Sequence, residues 1–106
     1  MGPWLLLAGA IVSEVSATTA LKASAGFTRP LPSLFVLGGY GLSFVLLGGV
    51  LRDLPVGLVY AIWSAVGTVG VAALGMLLFG EAMSPAKALG IALVIGGVAL
   101  LLSAGE

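Results

Sequence analysis

The chain has 106 residues, of which 60% are apolar and only 8% charged, with four basic and four acidic side chains and no net charge. A soluble domain of this size carries charge on roughly a quarter of its residues, so the surface of this chain is expected to face lipid rather than water. The absence of Cys and His excludes disulfides, thiol nucleophiles, thiolate or imidazole metal sites and imidazole acid–base chemistry. No cluster of Lys and Arg exists to neutralise phosphates, which argues against nucleic acid as a partner.

A helix needs about 20 residues to cross the hydrocarbon core. Four segments meet this, at residues 3–21, 32–51, 55–79 and 85–102, within a single four-helix transmembrane domain spanning residues 1–106. Each begins at or near a proline, which fits the first turn of a helix because its missing N–H costs nothing there. The first span lacks a basic flank and carries an acidic residue at its centre, so it reads as retained rather than as a cleaved signal. Turn-forming and polar residues separate the spans: Ala25-Gly26 and Arg29-Pro30, then Arg52-Asp53, then Gly80-Glu81 and Ser84-Pro85. Lys22, Arg29 and Lys87 lie on one side, Arg52 and the terminal amine on the other. The bias is too small to fix one orientation, and insertion both ways round is as compatible as a single topology.

Glu14 is the charge set deep inside a span. It falls about two residues from the middle of the first segment, or ~3 Å from the midplane at ~1.5 Å per residue. A charge there costs roughly 2.5–3.5 kcal/mol on insertion scales. The sequence holds no Asn, Gln or His to share it. Desolvation disfavours the ionised form, so the carboxyl is expected to take up and release protons and, when ionised, to attract a cation. A hydrogen bond that only fixes helix packing is the structural alternative. On the same face, Ala10, Ala17 and Thr18 are small, which lets a ligand or another backbone come close.

Counting depth along each span puts Tyr40 and Trp63 within about one helical turn of Glu14 in height. Tyr60 precedes Trp63 by three residues and shares its face. Interfacial aromatics sit near helix ends, as Trp4 does; Tyr40 and Trp63 are too deep for that. Rings beside a carboxylate suit a hydrophobic cation, with cation–π attraction of up to ~2 kcal/mol when desolvated. Core packing is the competing explanation. Ser43, three residues after Tyr40, offers a further hydrogen bond. In the third span Ala65, Val66 and Gly67 mark a place where the helix could bend. In the fourth, Gly90, Leu93 and Gly97 form a small-residue groove suited to helix association, within one chain or between two.

These features occur in a familiar order. Glu14-Val15, Thr18-Thr19 and Lys22 are followed by Gly26-Phe27-Thr28-Arg29, by Tyr60-Ala61-Ile62-Trp63-Ser64 with Gly67, by Phe79-Gly80-Glu81, and by Gly90 and Gly97. Over essentially its full length the chain resembles the small multidrug resistance transporters, in particular their EmrE-like multidrug branch. The resemblance implies an all-α antiparallel homodimer of dual topology in the bacterial inner membrane. Its Glu14 pair would bind protons or a cationic drug in exclusive competition. Tyr40, Tyr60 and Trp63 would line the chamber, Ala65 to Gly67 would form the bend, and Gly90 and Gly97 would lie in the dimer contact. No cofactor is implied; the partners are lipid, small cations, protons and a second copy.

The family usually has Gly where this chain has Ala17 and Ala65, and the Ala17 methyl is expected to narrow the chamber beside Glu14. A related guanidinium-exporting branch typically carries a Trp shortly after the carboxylate and Trp-Thr in place of Trp63-Ser64. The Ser16, Ala17 and Thr18 found here favour the multidrug branch. A guanidinium exporter, a non-transporting membrane subunit and a heterodimer with a paralogous chain are the alternatives. A membrane enzyme is disfavoured, because one carboxylate without a partner base, nucleophile or metal ligand assembles no familiar catalytic set.

Overall fold

The computed structural model describes residues 2–104. It is all-helical: α1 Pro3–Ala23, α2 Pro30–Val50, α3 Val56–Phe79 and α4 Pro85–Ser103. All four are long and apolar enough to cross a membrane. The prolines act as the sequence implies: Pro3, Pro30 and Pro85 stand in the first turns of α1, α2 and α4, and Pro55 precedes α3 in extended conformation. α2 starts two residues earlier than the sequence pattern indicates, at Pro30 instead of Pro32. The reason is that none of the first four N–H groups of a helix has an intrahelical acceptor, so both prolines fit one first turn.

The chain divides into two compact units, residues 1–54 and 55–106. In the first, α1 and α2 form an antiparallel hairpin, as their paired contacts show. Positions built out from Gly9, Gly39 and Gly49 would meet Leu46, Ala17 and Leu6 respectively. Such close approach maximises dispersion contacts, the main source of helix association where water is absent. In the second unit, α3 ends at Gly80, whose left-handed φ of 67° lets the Glu81 N–H return to the Gly75 carbonyl at 3.2 Å. This is the usual glycine stop of a helix. The Ser84 hydroxyl caps α4 by accepting from the Lys87 N–H at 3.1 Å. Among its described residues α4 has none buried.

The α1–α2 turn has an organising residue that the sequence pattern does not reveal. Ser24 is fully buried. Its hydroxyl donates to the Leu21 carbonyl at 2.7 Å and accepts the Phe27 N–H at 3.1 Å. Its own carbonyl accepts the N–H groups of Thr28 and Arg29. These bonds hold three successive left-handed residues, Ala25, Gly26 and Phe27, with φ of 51°, 72° and 66°. Left-handed backbone at non-glycine residues is costly, so the turn depends on Ser24. Ser24→Ala is expected to lower stability by about 1–3 kcal/mol by orphaning the Phe27 N–H, measured by denaturant unfolding in detergent; an unchanged midpoint would show that the turn does not rely on this hydroxyl.

Candidate functional site

Glu14 sits on α1 with an accessibility intermediate between core and surface. One turn later on the same helix, the Thr18 hydroxyl donates to Glu14 Oε2 at 2.8 Å. Tyr40 on α2 reaches the same hydroxyl, with 2.5 Å between the two oxygens. Thr18 has one hydroxyl proton. With Glu14 ionised that proton goes to the carboxylate, and the Tyr40 hydroxyl is then the donor in the second bond. The three side chains therefore form a directed chain, Tyr40 to Thr18 to Glu14, that ends on the carboxylate and stabilises its charge. A proton arriving on Oε2 makes the carboxyl a donor, and the order can then reverse along the same three oxygens. Thr19 plays no part in this chain: its hydroxyl is bonded to the Val15 carbonyl at 2.8 Å, within its own helix.

Three residues expected at the binding surface pack in the α1–α2 seam. Ala10, Ala17 and Ser43 are each completely buried. The Ser43 hydroxyl donates to the Ala10 carbonyl at 2.7 Å, which uses its one proton as a tie between α2 and α1. The Ala17 methyl is wholly buried. It enters the α1–α2 seam, where a Cβ built on Gly39 would come within 2.8 Å of it.

In the second unit, Tyr60 and Trp63 are a turn apart on α3, with ring centroids 5.8 Å apart and tilted by 48°. This is within the range of favourable edge-on aromatic pairs. Tyr60 is 63% exposed, so the pair offers an open aromatic face. α3 continues as helix through Ala65, Val66 and Gly67. Gly90 borders a cavity of about 400 Å³ lined by residues of α3, α4 and their connection, among them Thr68, Met76 and Val94. Leu93 and Gly97 line a second cleft with Ser64 and Ala65. No group of His, Cys, Asp or Glu among the described residues could hold a metal.

Residues 2–94 match the model of the family described as Small Multidrug Resistance protein. The chain belongs to this family. It is 54% identical over 101 residues to a multidrug transporter of Pseudomonas aeruginosa, covering 95% of this chain and 92% of that protein. It is 46% identical over 101 residues to a quaternary ammonium compound-resistance protein of Escherichia coli, with the same two coverages. It is also 40% identical over 95 residues to a guanidinium exporter of Citrobacter freundii, covering 90% of each. Family and helices together make this Small Multidrug Resistance protein a multi-pass protein of the bacterial inner membrane.

The sequence pointed to Glu14, Thr18 and Tyr40 separately but not to the bonds joining them. The Glu14–Thr18 spacing of four was a usable signal; nothing local signalled that Tyr40 would be the second donor. Because the chain passes through one hydroxyl, the Tyr40 ring carbon bearing the oxygen should report the protonation of Glu14. In protein labelled at tyrosine Cζ, the Tyr40 resonance is expected to move with pH as Glu14 gains its proton, and Thr18→Val should abolish most of that movement. A Tyr40 signal indifferent to Thr18 would break the proposed order of donors.

Proposed function

We propose that the protein is an antiporter that exchanges protons for hydrophobic and quaternary ammonium cations, working as an antiparallel homodimer of dual topology. The observation that carries this reading is Glu14: a carboxylate at mid-span, held by hydroxyls and without a cationic partner placed at its depth by the sequence. In its ionised form it is a counter-charge for a lipophilic cation. In its protonated form that attraction is gone, so proton and cation compete for one group. Protons entering down their gradient would then drive the cation out. The two relatives above 45% identity are named for multidrug transport and quaternary ammonium resistance, which supports the substrate class over guanidinium.

In this reading the rings of Tyr40, Tyr60 and Trp63 line the chamber and hold the cation by dispersion and cation–π attraction. Thr18 orients the carboxylate. Ala10, Ala17 and Ser43 act from behind the binding surface, in the seam that carries it. Ala65, Val66 and Gly67 give α3 a weak point for alternating access. Gly90, Leu93 and Gly97 form the contact with the second copy. Gly90, Leu93 and Gly97 are exposed and no described residue of α4 is buried, which supports this by leaving surface for a second copy. A dimer brings two Glu14 groups together, and like charges at short range titrate as a pair.

Two measurements test the reading. Purified wild-type protein in detergent should release protons when tetraphenylphosphonium is added, and Glu14→Gln should release none while still inserting and folding. Proton-driven efflux by that variant in liposomes would remove Glu14 from the mechanism. Trp63→Ala should weaken tetraphenylphosphonium binding by about 10- to 30-fold, the equivalent of a desolvated cation–π contact of ~1.4–2 kcal/mol. Unchanged binding, by calorimetry, would exclude Trp63 from the chamber.

A further inference from the structure

We propose that Gly39 and Ala17, two residues without polar side chains, form the spacer that sets the reach of Tyr40 to Thr18 and so position the Glu14 carboxylate. A Cβ on Gly39 would lie 2.8 Å from Ala17 Cβ and 3.1 Å from the Ser13 carbonyl oxygen. Carbon atoms in contact settle at about 3.5–4.0 Å, so one added methyl forces α2 back from α1 by ~1 Å. Tyr40 is the next residue after Gly39, and Thr18 the next after Ala17. Their oxygens stand at 2.5 Å, and O–H···O bonds hold only to about 3.0 Å. A retreat of ~1 Å therefore breaks the Tyr40–Thr18 bond while leaving the Thr18–Glu14 bond, which lies within α1, in place.

Sliding cannot recover the lost reach. One turn further along α2, the buried Ser43–Ala10 bond of 2.7 Å fixes the axial register of the two helices. The spacer is also particular to this pair of positions. The methyl of Ala17 on α1 is matched by the missing methyl at Gly39 on α2. The neighbouring Gly38 and Gly41 would meet nothing within 4 Å, so they supply controls with the same change in helix propensity and no change in the seam. The consequence for cation binding rests on the proposed antiport; the geometry does not.

The test uses full-length protein in detergent, labelled at tyrosine Cζ. Gly39→Ala should abolish the pH-linked movement of the Tyr40 resonance, whereas Gly38→Ala and Gly41→Ala keep it. Ala17→Gly combined with Gly39→Ala removes the methyl-on-methyl clash but not the 3.1 Å approach to Ser13, and should restore the movement in part. Tetraphenylphosphonium affinity should fall about tenfold in Gly39→Ala, and that loss should vanish when Tyr40→Phe is already present, because the two changes act through one bond. If Gly39→Ala does not fold, Ser43→Ala, which loosens the register without adding bulk, should diminish the same movement. A wild-type resonance that ignores pH, a Gly39→Ala protein that matches wild type, or equal losses in the two control variants would overturn the proposal. Wild-type protein with the expected resonance but no tetraphenylphosphonium binding would instead overturn the antiport reading and leave the spacer standing.

Discussion

A carboxyl group at the centre of a membrane span must find its hydrogen bonds within the protein, because lipid offers none. In this chain one hydroxyl, that of Thr18, meets the need from its own helix and is itself met by Tyr40 from the next. The arrangement is spare. A lysine beside it would have favoured the ionised carboxylate throughout. Neutral hydroxyls can each donate and accept, so they serve the ionised and the protonated carboxyl by reversing direction.

Much of this molecule is legible in its residue order. Low charge and long apolar runs require membrane spans, and prolines locate the four helix starts to within two residues. The isolation of Glu14 needs only arithmetic along the first span. What stayed hidden depends on pairings between helices. Ser43 looks like a binding residue because it follows Tyr40 by three; it turns out to be spent on the Ala10 carbonyl. Ala17 looks like a wall of the chamber because it lies near Glu14 on the helix; its methyl is turned into the seam. Ser24 reads as ordinary loop polarity, yet it holds a run of three left-handed residues. In each case the deciding partner is on another element or across a turn, where periodicity carries no information.

α4 illustrates a different limit. Its apolar residues and its glycines are as well patterned as those of α1, but among its described residues none is buried. A helix in lipid gains nothing from hiding apolar side chains as such; it gains from close packing and from satisfying polar groups. α1 and α2 obtain both from each other. α4 has small residues at Gly90 and Gly97 with open space above them, which is a surface shaped for a backbone to approach. The two hairpins thus differ: the first holds the hydrogen-bonded carboxyl in a close seam, and α4 keeps its surface exposed.

Within the first hairpin, distance is controlled by apolar atoms and used by polar ones. A hydrogen bond between hydroxyls tolerates about half an ångström, and long side chains such as Tyr cannot guarantee that by themselves. Methyl and backbone contacts are stiffer, since repulsion rises steeply once carbon atoms pass their contact distance. Placing Gly39 directly before Tyr40, against Ala17 directly before Thr18, puts the stiffest contact beside the most distance-sensitive bond. The same logic explains why Ser43 bonds to a main-chain carbonyl: a helix backbone does not change rotamer, so the register it fixes is inherited by every residue on that face. The carboxyl group of Glu14 and its hydroxyl partners are thus located by residues that have no chemistry of their own.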